Sequence, residues 1–276
     1  ASQLWEGLPP PLTPEGTLGA LGSVIASRLA REFRFGGPSF TVAAESLSGL
    51  QALEIGARAL ERGECDLIVA GAVDLAGDPR QLLIDAHRGA LSQEGSEGGP
   101  SGPGLPPGEG ACAVILKRLE DARADGDRIY AVLRGRGWAL DSVTPEAAPA
   151  EAWERCRAGA DDSPANLGYL ELQGGPPTPQ AGRPSPRRSD PPAESVPSLA
   201  YGALEPLAGH TGAAAGLLGF VKAALCLNRR LLPPAPDAFC TGDDPGWPAH
   251  GHRPRETHYW YRDRTEGLRH AGVQAR

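Results

Sequence analysis

The 276-residue chain has no methionine. A chain read from its own start codon would carry one, so the sequence reads as a fragment, a processed piece or an excised domain. Lysine is nearly as scarce, with Lys117 and Lys222 standing among 27 basic residues. The other bases are arginine, beside plentiful Ala, Gly and Pro. That bias suggests a GC-rich bacterial genome and makes single arginines weak functional signals. The five cysteines (Cys65, Cys112, Cys156, Cys226 and Cys240) are odd in number, widely spaced and form no CxxC pair. This argues against a disulfide framework or a zinc site and fits a reducing cytoplasm. Positive charge is not in excess: 27 basic against 34 acidic residues give −7, which argues against a nucleic-acid partner. Long apolar runs are missing too. The longest, Ala213 to Leu227, carries Lys222 and is too short to span a bilayer, and nothing resembles a signal peptide.

What the chain does have is glycine and proline. Gly 37 plus Pro 28 make 65 of 276 residues, so loops must be abundant. Between them lie segments with clear periods. Residues 1–16 read as a linker. Leu18, Leu21, Ile25, Leu29 and Ala30 recur at helical spacing over Leu18 to Glu32. Pro38 to Ala43 reads as a buried strand, running into a helix over Leu47 to Arg62. Asp66 to Val73 is an apolar run suited to a strand covered on both faces, as in a layered α/β sheet. Further on, the patterns predict a helix over Gln81 to Ala90, a loop over Ser92 to Gly108 and a strand over Glu109 to Leu116. A helical turn over Leu119 to Ala124 follows, then a third strand over Arg128 to Gly137 that would form a hairpin with its predecessor. A helix over Ala147 to Ala158 and a strand over Leu167 to Leu172 come next. Gly174 to Pro197 holds eight prolines and reads as a disordered or extended loop. His210 to Leu227 is a small-residue helix, and the tail from Arg253 carries six arginines and the run Tyr259, Trp260, Tyr261.

Two helix starts stand out chemically. Ser46 follows Gly37-Pro38-Ser39-Phe40-Thr41-Val42-Ala43-Ala44-Glu45 at a strand-to-helix junction. There free amide donors and the helix dipole favour either a nucleophile and oxyanion or a plain N-cap. His210 lies in Gly209-His210-Thr211-Gly212-Ala213-Ala214-Ala215-Gly216, among residues too small to fill space, so its ring either faces a cavity or is a hydrogen-bonded structural group. Lys222 sits inside the same apolar helix, where an ammonium needs a partner or a route to water. His87, His250, His252, His258 and His270 lie in polar surroundings, and His250 with His252 lacks a third metal ligand at useful spacing.

These segments, in this order, resemble the β-ketoacyl synthases of polyketide and fatty-acid assembly lines. The resemblance rests on Gly37 to Val42, Gly63-Glu64-Cys65-Asp66-Leu67-Ile68-Val69-Ala70-Gly71, Gly108 to Ala111 through Leu116 to Leu119, Asp125 to Val132, and Gly209-His210-Thr211 with Lys222. It implies a thiolase-like layered αβαβα fold of the α/β class, incomplete because the first third and the last glycine-rich loop of the domain are absent. On this reading residues 1–16 are a linker, 17–172 the nucleophile-side part, 173–200 a Pro-rich loop and 201–276 the C-terminal part of one domain. Exposed apolar sheet faces are then expected unless a partner covers them.

The resemblance also implies a site. Active members carry a Cys nucleophile and two histidines. In this chain Ser46 falls at the Cys position, Gln173 in Tyr169-Leu170-Glu171-Leu172-Gln173-Gly174-Gly175 takes the first histidine's place, and His210 is retained. Lys222 supports the set, and Glu205 stands where the family has a lysine. A Ser hydroxyl needs a neighbouring base, and Gln173 cannot serve as one. Among degenerate relatives the likeness is to the chain-length-factor domains of polyunsaturated-fatty-acid-type synthases. The implied partners are an active ketosynthase domain, as the other half of a dimer, and an acyl carrier protein. No cofactor is implied beyond the carrier's phosphopantetheine, which delivers the acyl group. The alternative is an enzyme that uses Ser46 and His210 for acyl transfer or malonyl decarboxylation.

Overall fold

A computed structural model describes residues 13–76, 79–87, 106–139, 148–160, 167–173, 199–235, 251–263 and 267–275. It divides into two compact units, 1–43 and 44–276. In the first, α1 (Pro14–Ala20) begins where the Thr13 side chain accepts from the Gly16 amide at 3.0 Å, with Pro14 in the first turn. The helix therefore starts inside the stretch expected to be linker. The chain breaks at Leu21 and Gly22 before α2 (Ser23–Phe33), so the single predicted helix is two. Arg34, at φ 57°, ends α2 in the left-handed region. The apolar set Leu18, Leu21, Ile25, Leu29 and Phe33 is exposed. The strand expected at Pro38 to Ala43 does not form. The segment has no ladder pairing among the described residues and exposes Phe40, because an apolar run becomes a strand only by finding a ladder partner.

The second unit opens with a 3₁₀ turn, Glu45–Leu47, leading into α3 (Ser48–Glu61). β1 (Leu67–Asp74) pairs antiparallel with β2 (Gly110–Lys117), from Leu67 opposite Lys117 to Asp74 opposite Gly110. Helix α4 (Pro79–His87) lies between them in sequence, and α5 (Leu119–Ala124) follows β2. One face of the two-stranded sheet packs on α3, where Gly56 lets Ile68 approach: a Cβ there would sit 2.8 Å from its Cγ2. The other face, with Leu67, Val69, Val73 and Ile115, is open. The expectation that β1 is covered on both faces is thus corrected, while that of exposed apolar sheet faces holds. The hairpin partner expected at Arg128 to Gly137 is corrected as well. β1 already occupies a full edge of β2, and the 128–137 segment instead lies with Gly135 and Gly137 against the backbone of α6 (Ala148–Ala158).

A second sheet has the order β4–β3–β7, all parallel, with β3 (Leu167–Leu172) between β4 (Ala200–Gly202) and β7 (His270–Gln274). Every β3 residue but Gly168 is buried. Trp260 closes over Gly168, where any Cβ would fall 2.7 Å from the indole, so the tail's aromatic run divides: Trp260 is core, Tyr259 and Tyr261 are exposed. Short α7 (Glu205–Ala208) and a 3₁₀ turn (Gly212–Ala214) precede α8 (Ala215–Arg229), and β5 (Leu231–Leu232) pairs with β6 (His258–Tyr259). α8 touches both sheets and α3. The Pro-rich stretch over Gly174 to Pro197 lies outside the described residues.

Candidate functional site

Ser46 sits in the middle of the 3₁₀ turn before α3. The residue before it, Glu45, has φ 48°, a left-handed conformation costing a side-chain-bearing residue about 1–2 kcal/mol. The turn is closed by Ser48, whose hydroxyl accepts from the Ala44 amide at 2.9 Å and donates to the Glu45 carbonyl at 2.7 Å. The positions that flank the 3₁₀ turn and α3 at their starts are Ala44 and Leu47, neither of which caps with its side chain.

His210 is held by its backbone. Its amide donates to the Pro106 carbonyl at 2.8 Å and its carbonyl accepts from Gly108 N–H at 3.1 Å, a one-residue parallel bridge to a loop distant in sequence. Gly209 makes this possible, since at φ 75° a Cβ would strike the Pro106 carbonyl. Asp74, at the end of β1, accepts from the Ala213 amide at 2.7 Å and so fixes the turn that follows His210. Gly212 lies so close to that carboxylate that no side chain fits there.

The two turns meet. Glu45–Leu47 packs against Gly212–Ala214 and the start of α8. Gly49 admits Leu217, and Gly216 admits Leu50, so the backbones of α3 and α8 approach closely where the helices begin. The sequence-predicted Ser46 and His210 are thus carried on adjoining turns.

Gln173 and Lys222 form a second cluster along the flank of α8. Gln173 is buried against Gly219, in the second turn of α8. Its Nε2 donates to Glu171 Oε1 at 3.0 Å. Lys222 Nζ lies 3.1 Å from Oε1 and 2.9 Å from Oε2 of Glu171, and the Tyr169 hydroxyl donates to Oε2 at 2.5 Å. Glu171 is fully buried. Burial pushes its carboxyl above the usual range, while Lys222, Tyr169 and Gln173 pull it back. Tyr169 is itself driven far up by burial and by Glu171. The partner that Lys222 requires is therefore Glu171. Sequence reasoning missed both Glu171 and Tyr169, yet the signal was present: residues 169, 171 and 173 alternate onto one face of the strand, opposite Leu170 and Leu172. Glu205 is buried at the start of α7. No group of three or more metal-ligating side chains occurs among the described residues.

The profile "Beta-ketoacyl synthase, N-terminal domain" matches residues 10–122, and "Beta-ketoacyl synthase, C-terminal domain" matches 191–238. Together they span more than half of the chain. The chain belongs to the β-ketoacyl synthase family. Ser46 lies within the first match and His210 and Lys222 within the second, whereas Gln173 falls between them.

The phthioceranic/hydroxyphthioceranic acid synthase of Mycobacterium tuberculosis is 35% identical over 236 residues, which is 80% of this chain and 11% of that protein. Polyketide synthase ThaG of Burkholderia thailandensis is 35% identical over 231 residues, 79% of this chain and 4% of that one. Among solved structures, the oxazolomycin ketosynthase domain OzmH KS7 of Streptomyces albus JA3453 superposes with a TM-score of 0.76 at 27% identity, covering 94% of this chain and 49% of that domain. A ketosynthase solved with its acyl-carrier protein, AntDE:AntF, gives a TM-score of 0.80 at 20% identity, which speaks to fold alone. The chain spans about a tenth of the mycobacterial synthase and about half of the oxazolomycin domain. The fold is the thiolase-like α/β fold. No helix among the described residues is long and apolar enough to cross a membrane.

Proposed function

We propose that the chain is a non-condensing ketosynthase-like domain of a bacterial polyketide or polyunsaturated-fatty-acid synthase. In this role it pairs in the cytoplasm with an active ketosynthase, in the manner of a chain-length factor, and shapes the pocket that receives an acyl chain from a carrier protein. The observation that carries this reading is the engagement of Gln173. Its amide donates to Glu171 and is wedged against Gly219, so the position can neither take up a proton nor supply positive charge to a reacting acyl group. Losing one member of a catalytic set costs on the order of 10⁴-fold, and further losses within the same set leave little to rescue.

Acyl transfer or malonyl decarboxylation by Ser46 and His210 is the second reading. It is favoured by the left-handed Glu45, which turns the chain sharply just before Ser46. Product formation by the assembled synthase separates the two. On the first reading, Ser46→Ala leaves turnover nearly unchanged and Ser46→Cys creates no condensing activity, because Gln173 still lacks an imidazole's chemistry. A loss of turnover of tenfold or more in Ser46→Ala supports the second reading.

A further inference from the structure

The carbonyl oxygen of Gln173 is buried and has no hydrogen-bond partner among the described residues. Which end of the amide faces Glu171 is set by chemistry. The Lys222 ammonium, the Tyr169 hydroxyl and the Gln173 amide nitrogen converge on Glu171, and a carboxylate only accepts. Turning the amide over would set oxygen against oxygen. The Glu171–Lys222 pair therefore acts as a clamp that leaves Gln173 Oε1 as a buried acceptor needing a donor.

We infer that Gln173 Oε1 selects a hydrogen-bond donor on the bound thioester, namely the hydroxyl of a 3-hydroxyacyl group, over the ketone oxygen of a 3-oxoacyl group. This rests on the reading that the site receives carrier-bound acyl chains. A ketone or carboxylate oxygen placed there would meet a second acceptor, and a site built to hydrogen-bond a hydroxyl discriminates strongly against an analogue without one. The same donor chemistry could come from the amide N–H groups of the pantetheine arm, so the test carries an arm for each source.

Binding of 3-hydroxybutyryl-, 3-oxobutyryl- and acetyl-pantetheine to the purified protein is measured by titration calorimetry. The expected result is about tenfold tighter binding of the 3-hydroxy than of the 3-oxo compound, the scale of one net hydrogen bond. The preference should fall to within twofold in Gln173→Leu and reverse in Gln173→His. Equal affinities, or a 3-oxo preference, in the unaltered protein overturn the inference whether or not either variant folds. If all three compounds bind equally and weaken together in Gln173→Leu, the donor is the pantetheine arm and the 3-hydroxyl assignment falls. If none binds, the ketosynthase-type site falls with it. An acyl group found covalently on Ser46 would overturn the non-condensing reading and leave a measured 3-hydroxy preference standing.

Discussion

The two main sheets of the second unit are built from similar apolar strands and end in opposite conditions. β1 and β2 bury one face on α3 and leave the other to solvent, with Ile115 71% exposed. β3, flanked by parallel β4 and β7, is buried almost throughout, and its Tyr169 and Glu171 are fully enclosed. The charged network therefore sits in the closed sheet, where Glu171 needs Lys222, and the open sheet carries no such demand. Coverage, more than strand composition, decides where a carboxylate must be paired.

The sharpest way to break that contrast is Lys222→Met. It leaves Glu171 buried without its counter-ion and should cost about 3–5 kcal/mol in denaturant unfolding. A loss under about 1 kcal/mol would mean that the network is wet or dispensable. Next comes a matched pair of truncations. Leu170→Ala, in the closed sheet, should cost about 2–5 kcal/mol. Ile115→Ala, on the open face, should stay within about 0.5 kcal/mol, so equal losses would show that face to be covered. Asp74→Ala, which frees the Ala213 amide, should cost about 0.5–2 kcal/mol, a capping-scale effect.

A further test is a pH dependence. Burial pushes the Cys112 and Cys226 thiols up to about 11. The folded state thus holds these protons after an unfolded thiol, near 9, has lost its own. Stability should decline as pH rises from about 9 to about 11, and Cys226→Ala should flatten the slope; an unchanged slope would contradict the assignment to Cys226.

Much of this was legible from local pattern. α3, β3, α6 and the helix after His210 fall within a few residues of where periodicity and glycine stops put them, because these segments carry their own signals. The segments at Pro38 to Ala43 and Arg128 to Gly137 failed for one shared reason: strand propensity is necessary for a ladder, but the partner is supplied elsewhere. The site divides the same way. Ser46 and His210 could be singled out from helix starts rich in small residues. Glu171 and Lys222 are 51 residues apart and meet only when α8 lies against β3. Gly49, Gly216 and Gly219 permit the helix approaches, yet each reads in the sequence as an ordinary small residue in a helix.

On the proposed function, this scaffold holds a carrier-borne acyl chain without forming a bond to it. Incubation with an acylated carrier protein, followed by mass measurement of the peptide containing Ser46, addresses it directly. The expected result is the unmodified peptide mass at every time point; a stoichiometric acyl adduct on Ser46 would overturn the non-covalent role.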